Sequence, residues 1–290
     1  MPRYPCPKSG KKDIYPSVTE IISDCTNSSG ALTQWAANMV VEYLKESCHG
    51  CLTEEQKLYL EIFDGGEDGF YHILSDKDLN NARFHFREVS KKALDIGSEV
   101  HGMIEQYFKG NIPLKKGVTK EAWTAFKAFL TWKKENDVKA IEVEKTVYSL
   151  TKEPCPDCNG EEGFDDCKLC DGAGFVVRGW AGTLDFYGYF NGKLYVIDWK
   201  SSKPKNKKTG KGVYKETHYQ VAAYRSATSI KLNKHIDGCG VLRLDKETGM
   251  PDWNDTSKTY EQDLKVFNDM VTLYFDRHER IAKKFKEATE

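Results

Sequence analysis

A chain of 290 residues has room for one large domain or two modest ones with an ample core. Its 43 lysines and arginines nearly balance 44 aspartates and glutamates, for a formal net charge of −1. With no global basic field, nucleic-acid binding has to come from local patches, which suits an enzyme that releases its substrate better than a coating protein. No run approaches a membrane span and the polar N-terminus reads as neither a signal peptide nor a clear transit sequence, so the expected location is cytoplasmic, with cysteines reduced or metal-bound.

Residues 1–80 read as a helical lead-in broken at Asp64-Gly-Gly-Glu-Asp-Gly69, and 81–290 as the main domain. From Asn81 to Phe108, Leu94, Val100, Met103, Ile104, Tyr107 and Phe108 recur at helical spacing, with His101 and Glu105 four apart on the flank of the stripe. A lone histidine there is most simply a structural residue; as a neutral imidazole it is also a competent metal ligand. A second helix is expected near Lys120–Glu135, then a strand near Ala140–Leu150 on which Glu142 or Glu144 would stand behind the site.

Residues 152–176 interrupt the strands with Cys155-Pro-Asp-Cys158, eight residues, then Cys167-Lys-Leu-Cys170. Four thiolates in paired Cys-X-X-Cys form suit a tetrahedral structural Zn²⁺, and the glycines between them allow tight knuckles. Disulfides are disfavoured in a chain expected to be intracellular. Cys48-His-Gly-Cys51 is a weaker second metal candidate.

The most informative stretch follows. Two apolar-rich runs flank Asn191-Gly192, the dipeptide that best fits a two-residue type I′ hairpin. If Phe190 pairs with Lys193, the ladder brings Asp185 opposite Asp198, and Lys200 shares their face. Like charges facing across a ladder repel. Mg²⁺ or Mn²⁺ between the two aspartates would reconcile them and supply phosphoryl-transfer chemistry. A solvated hairpin is the bland alternative, but Leu194, Val196 and Ile197 make the second strand apolar on both faces, as in a sheet covered by helices.

Lys200, Lys203, Lys205, Lys207, Lys208, Lys211 and Lys215 then run without an acidic residue before Glu216. Such a run is usually a solvated loop; beside a metal site it can funnel a DNA backbone. Gln220 and Tyr224 lie one turn apart on a helix expected over about Val213–Ile230, positioned to orient a phosphate or stack on a base. A strand near Gly238–Leu244 and a long helix from about Tyr260 complete the chain.

Asp185 followed by Asp198-Trp199-Lys200 resembles the PD-(D/E)XK nuclease superfamily, in particular its RecB-like exonuclease branch. Gly97-Ser-Glu-Val-His101 resembles that branch's upstream helix motif, Gln220-Val-Ala-Ala-Tyr224 its downstream motif, and Pro16-Ser-Val-Thr19 with Leu32-Thr-Gln-Trp35 the N-terminal signature of phage-type members. The likeness spans roughly residues 14 to 245, and four motifs in the right order are far more specific than one. It implies an α/β, restriction-endonuclease-like core in which a mixed central sheet is flanked by helices. It further implies a metal-dependent deoxyribonuclease, more an exonuclease than an endonuclease, serving phage or bacterial recombination, replication or repair, with DNA as partner and the proteins of those processes as further partners. His101, Asp185, Asp198 and the Trp199 carbonyl would hold Mg²⁺ or Mn²⁺, with Glu105 and Glu144 nearby. The cysteine segment resembles the repeat of DnaJ-type chaperones over about 20 residues, which implies a knuckle and not a chaperone. A non-catalytic DNA-binding module would not need the intact acid pair and lysine, and a zinc-organised interaction adaptor would leave the two aspartates unexplained.

Overall fold

The computed structural model describes residues 4–5, 14–26, 36–43, 76–155, 157–160, 167, 172, 174–202 and 213–287. Two short strands, β1 (Tyr4–Pro5) and β2 (Ile14–Tyr15), precede α1 (Val18–Thr26), α2 (36–43), α3 (Asp76–Phe108) and α4 (Lys120–Glu135). Then come β3 (Val138–Pro154), β4 (Phe175–Phe190), β5 (Lys193–Ser202), α5 (Lys215–Leu232), β6 (Gly238–Asp245), β7 (Pro251–Asp255) and α6 (Tyr260–Glu287). The chain forms two units, Met1–Thr26 with Gly97–Glu290, and Asn27–Ile96. This differs from a boundary at residue 80. Val18, Ile21 and Ile22 of α1 are buried in the core of the sheet unit, so the first 26 residues belong with it. In the second unit the Tyr43 and His85 rings lie 5.2 Å apart.

Five strands form one mixed sheet in the order β3-β4-β5-β6-β7, antiparallel except for β5 with β6. A parallel pair needs a crossover, which α5 supplies between them. Helices cover both faces. On one, α1, α5 and α6 bury Ile21, Val221, Ala223 and Phe267 against Val147, Leu184, Val196 and Val241. On the other, Phe108 of α3 lies 5.4 Å from Phe186, and Phe129 and Trp132 of α4 lie 5.7 Å from Trp199 and 5.3 Å from Phe190. Each such aromatic pair adds about 0.5–1.5 kcal/mol beyond its area burial. The expected α/β class with a mixed, helix-flanked sheet is present at that level.

Asn191 and Gly192 have φ of 49° and 80°, the left-handed pair that a type I′ turn requires. They fix the β4–β5 register at Phe190↔Lys193, as the dipeptide predicts. A glycine requirement of another kind lies further up β4. A Cβ on Gly182 would stand 2.5 Å from Tyr224 Cε1, so only glycine lets the α5 ring lie flush on the strand.

Leu94 is a correction to the apolar stripe of α3, being 72% exposed. The buried stripe of that helix includes Ile96, Val100, Met103 and Ile104, and Leu94, two residues before Ile96, falls about 200° around the helix at 3.6 residues per turn. The strand Pro251–Asp255 was not expected either, since only Trp253 in it favours a strand. α4 spans Lys120–Glu135 as read from the sequence, because Thr119 caps it by accepting the Ala122 N–H at 3.2 Å. The same threonine donates from its hydroxyl to Glu99 of α3 at 2.7 Å, fastening the turn that carries His101 to the start of α4.

Candidate metal centre

β4 and β5 pair from Phe190↔Lys193 as far as Phe186↔Ile197. One step further the register would set Asp185 opposite Asp198, but there the ladder gives way to a side chain: Asp185 Oδ2 accepts the backbone N–H of Trp199 at 2.7 Å. The expected direct backbone pairing of the two aspartates is thus replaced by a carboxylate-to-backbone bond, at the level where β4 also loses its other neighbour. On that side Val143↔Phe186 and Lys145↔Leu184 pair, whereas Glu144, with φ of 48°, does not. Glu144 is the one residue other than glycine or asparagine with positive φ among the described residues.

Asp198 shares a face with Val196 and Lys200 by strand alternation. Asp185 and Asp198 are 6% and 1% exposed, which rejects a solvated hairpin. Lys200 Nζ stands 2.7 Å from Asp198 Oδ2 as an ion pair, the charged contact that this buried carboxylate makes. From α3, His101 Nε2 lies 3.1 Å from the Trp199 carbonyl, and Nδ1 lies 3.2 Å from Glu144 Oε1 and 3.5 Å from Asp185 Oδ1. Donor atoms of His101, Glu144 and Asp185 all fall within 4.8 Å of one another.

Burial dominates the electrostatics. It raises the Asp185 carboxyl, against the pull of His101 and Lys200. It raises Asp198 to about 6, with Lys200 opposing and Asp185 adding to the rise. For His101 burial disfavours the cation, but Asp185 and then Glu144 overcome it and hold the imidazole up at about 9. Lys200 is likewise raised, burial being outweighed by Asp198 and Asp185. The carboxylates therefore recruit two side-chain cations. The His101 imidazole and the Glu144 and Asp185 carboxylates are a group of nitrogen and oxygen donors that could hold a metal ion.

Glu144, expected behind the ligands, touches His101 directly, whereas Glu142 pairs with Lys145 at 3.2 Å on the exposed side. Glu105 does not join the group; its carboxylate binds Lys109, one turn on, at 2.6 Å. Gln220 Nε2 donates to Tyr224 Oη at 3.2 Å, and Tyr224 is 3% exposed, so the ring is anchored in the core against Gly182 and is not a stacking platform. Ser17, in the N-terminal signature, accepts the Glu20 N–H at 3.0 Å and caps α1, while the Pro16 carbonyl binds the Ala181 N–H at 3.1 Å. That half of the signature docks α1 on β4. Leu32 to Trp35, Asp64 to Gly69, Cys48-His-Gly-Cys51, Cys170 and the lysines Lys203, Lys205, Lys207, Lys208 and Lys211 lie outside the described residues.

The cysteine segment is carried away from this centre on the β3–β4 ribbon, which stays paired from Lys145↔Leu184 to Pro154↔Phe175, roughly 30 Å of strand. Cys155, Cys158 and Cys167 are buried, with sulfurs within 4.8 Å of one another. The Cys155–Cys167 sulfur separation is 3.6 Å, well beyond a disulfide and close to the about 3.8 Å that tetrahedral Zn–S bonds of about 2.3 Å impose. Gly160 and Gly172, each five residues after the first cysteine of its pair, have positive φ values of 83° and 80°.

No family model matches the chain, and no curated protein matches it. Among solved structures, one described as the crystal structure of SSO0001 aligns over 84% of this chain and 87% of its own, at 12% identity and a TM-score of 0.33, too low to assign a shared fold. No helix among the described residues is long and apolar enough to cross a membrane.

Proposed function

We propose that the chain is a metal-dependent DNA nuclease of the RecB-like type, acting as an exonuclease in recombination, replication or repair. The observation that carries this reading is the buried Asp185–Asp198 pair, at the end of a hairpin whose Asn-Gly turn fixes its register, with Lys200 beside it and His101 brought in from α3. Two buried carboxylates on adjacent strands cost stability unless a cation uses them.

Asp185, Asp198, His101 and the Trp199 carbonyl would hold Mg²⁺ or Mn²⁺, which supplies Lewis-acid polarisation of a phosphoryl oxygen and a bound water of lowered pKa. Asp185 has a second task, since its Oδ2 fixes the Trp199 peptide and so aims the neighbouring carbonyl at His101. Lys200, kept as an ammonium by the two aspartates, offsets charge building on the scissile phosphate and orients the attacking water; its raised pKa argues against a role as the base. The lysine run after β5 would guide the DNA backbone to this face. Zn²⁺ held by Cys155, Cys158, Cys167 and Cys170 would fold the knuckle at the far end of the ribbon.

The experiment is release of acid-soluble nucleotides from end-labelled single- and double-stranded DNA, with and without Mn²⁺. Release that requires the ion and disappears in Asp198→Asn is expected. DNA binding without release, with Mn²⁺ present or absent, would sink the nuclease reading in favour of a non-catalytic DNA-binding module.

A further inference from the structure

We propose that the exposed face of α3 bearing Arg83, Arg87 and Lys91 is a DNA-contact surface built from residues other than those of the metal centre, and that it grips the phosphate backbone without reading base sequence. The choice of DNA among polyanions rests on the nuclease reading; the surface itself rests on charge and geometry.

These residues lie within the unit Asn27–Ile96. Between Asn81 and Leu94, Arg83, Arg87, Lys91 and Lys92 stand against one carboxylate, Glu88, in a chain whose formal net charge is −1. Arg83, Arg87 and Lys91 are four apart, so at about 3.6 residues per turn and about 1.5 Å per residue they line one side of the helix in steps of about 6 Å. All three are exposed, and Leu94, 72% exposed, ends the line. Glu88 and Asp95 fall about 40–60° outside it, and the buried Ala82 and Ile96 lie on the opposite side.

Like charges four apart on a helix repel, so three such cations in a row weaken the helix that carries them unless a partner supplies the counter-charge. Among the described residues no carboxylate pairs with Arg83, Arg87 or Lys91; Glu88 turns instead to His85 Nδ1, at 3.9 Å. The guanidinium groups are held in place from below. That of Arg87 lies 4.8 Å from the centre of the half-buried Phe84 ring and 5.7 Å from that of Phe86, and that of Arg83 lies 5.6 Å from Phe84. Resting on rings leaves the N–H forks outward and limits the side-chain freedom lost on binding phosphate. With arginines over them, the two phenylalanines are not stacking platforms for bases, so the surface recognises backbone alone. A protein interface would carry an apolar centre and a membrane-surface helix a broad apolar face, whereas Leu94 is the one large apolar side chain on this line.

The test is fluorescence anisotropy of the full chain on two labelled DNA oligonucleotides of unrelated sequence, each single-stranded and as a duplex, over a range of salt concentrations and without added Mg²⁺ or Mn²⁺. The triple variant Arg83→Gln, Arg87→Gln, Lys91→Gln keeps helix propensity while removing the charges. It should flatten the dependence of log affinity on log salt by about 2 on single strands and about 2.7 on duplex, equally for both sequences. Arg83→Lys combined with Arg87→Lys keeps the charges and should keep the parental salt slope, which separates lost contacts from a disturbed helix. An unchanged slope in the triple variant, a loss confined to one sequence, or a slope lost equally in the lysine variant would overturn the proposal. Binding of polyglutamate or of anionic phospholipid vesicles that the triple variant loses, with DNA affinity unaltered, would overturn it in favour of an acidic protein or a lipid surface. Nucleotide release with Mn²⁺ is read separately. A flattened slope without release by the parent would leave this surface standing and defeat the nuclease reading, whereas release with an unchanged slope would do the reverse.

Discussion

The Trp199 backbone N–H donates to Asp185 Oδ2 at 2.7 Å, so one carboxylate both closes the β4–β5 ladder and belongs to the candidate metal centre. Asparagine at 185 keeps an oxygen acceptor for that N–H, whereas alanine leaves it buried and unpaired at a cost of about 1–3 kcal/mol. Asp185→Asn should therefore unfold within about 1 kcal/mol of the parent in urea while losing most Mn²⁺ affinity, and Asp185→Ala should lose both. Equal destabilisation by the two changes would show that the bond to Trp199 is not what holds the hairpin end.

The raised pKa of Asp198 carries a stability consequence in protein free of Mg²⁺ and Mn²⁺. An aspartate in the unfolded chain titrates near about 3.9, and burial lifts Asp198 to about 6 in the folded one. Between these values the folded state binds more protons, so this group's contribution to stability is complete at low pH and is lost as pH rises from about 4 to about 6. Asp198→Asn removes that proton uptake. Urea unfolding at several pH values should give a less negative slope of stability with pH for the variant across that window, and parallel curves above it; parallel curves throughout would mean that Asp198 is not desolvated.

The hairpin was legible because its cause is local. Asn191-Gly192 selects one turn type, and that turn sets the register for every later residue of β5, including Asp198 and Lys200. His101 was legible as a flank position on a periodic helix, and Glu105 was misplaced because the same spacing cannot say that Lys109 claims its carboxylate. Glu144 as a direct partner of His101 was out of reach in any residue-counting scheme, since it depends on one extra residue at Ile141 and a left-handed backbone that glutamate seldom adopts. Tyr224 read as substrate-facing because a phenol one turn from an amide looks polar; only the three-dimensional fit over Gly182 shows it to be core.

That fit gives its own prediction. In Gly182→Ala the new Cβ would stand 2.5 Å from Tyr224 Cε1 and 2.9 Å from its hydroxyl, and a buried ring of α5 has little room to retreat. Overpacking of this kind costs typically about 1–3 kcal/mol. The variant should lose that much stability in urea, and Tyr224→Leu, which removes the ring, should relieve part of the loss when combined with it. Strictly additive losses in the double variant would mean that the two residues do not meet as described.

If the chain is the proposed nuclease, Lys200 separates the chemistry from the holding of the ion, because it sits beside Asp198 as an ion-pair partner. Its ammonium competes with any divalent cation for the Asp198 carboxylate, so Lys200→Ala should bind Mn²⁺ as tightly as the parent or more tightly. On the proposed nuclease reading the same change would remove the positive charge set against the scissile phosphate, and the loss of one such stabilising group typically costs about 10²–10³ in rate. Turnover on end-labelled DNA at saturating Mn²⁺ should fall by about that factor with DNA affinity little changed. Lys200→Arg should recover a fraction, since it restores the charge but places it on a larger, planar group. A Lys200→Ala enzyme that loses its metal would reassign Lys200 to holding the site together, and one that keeps near-parental turnover would remove it from the mechanism.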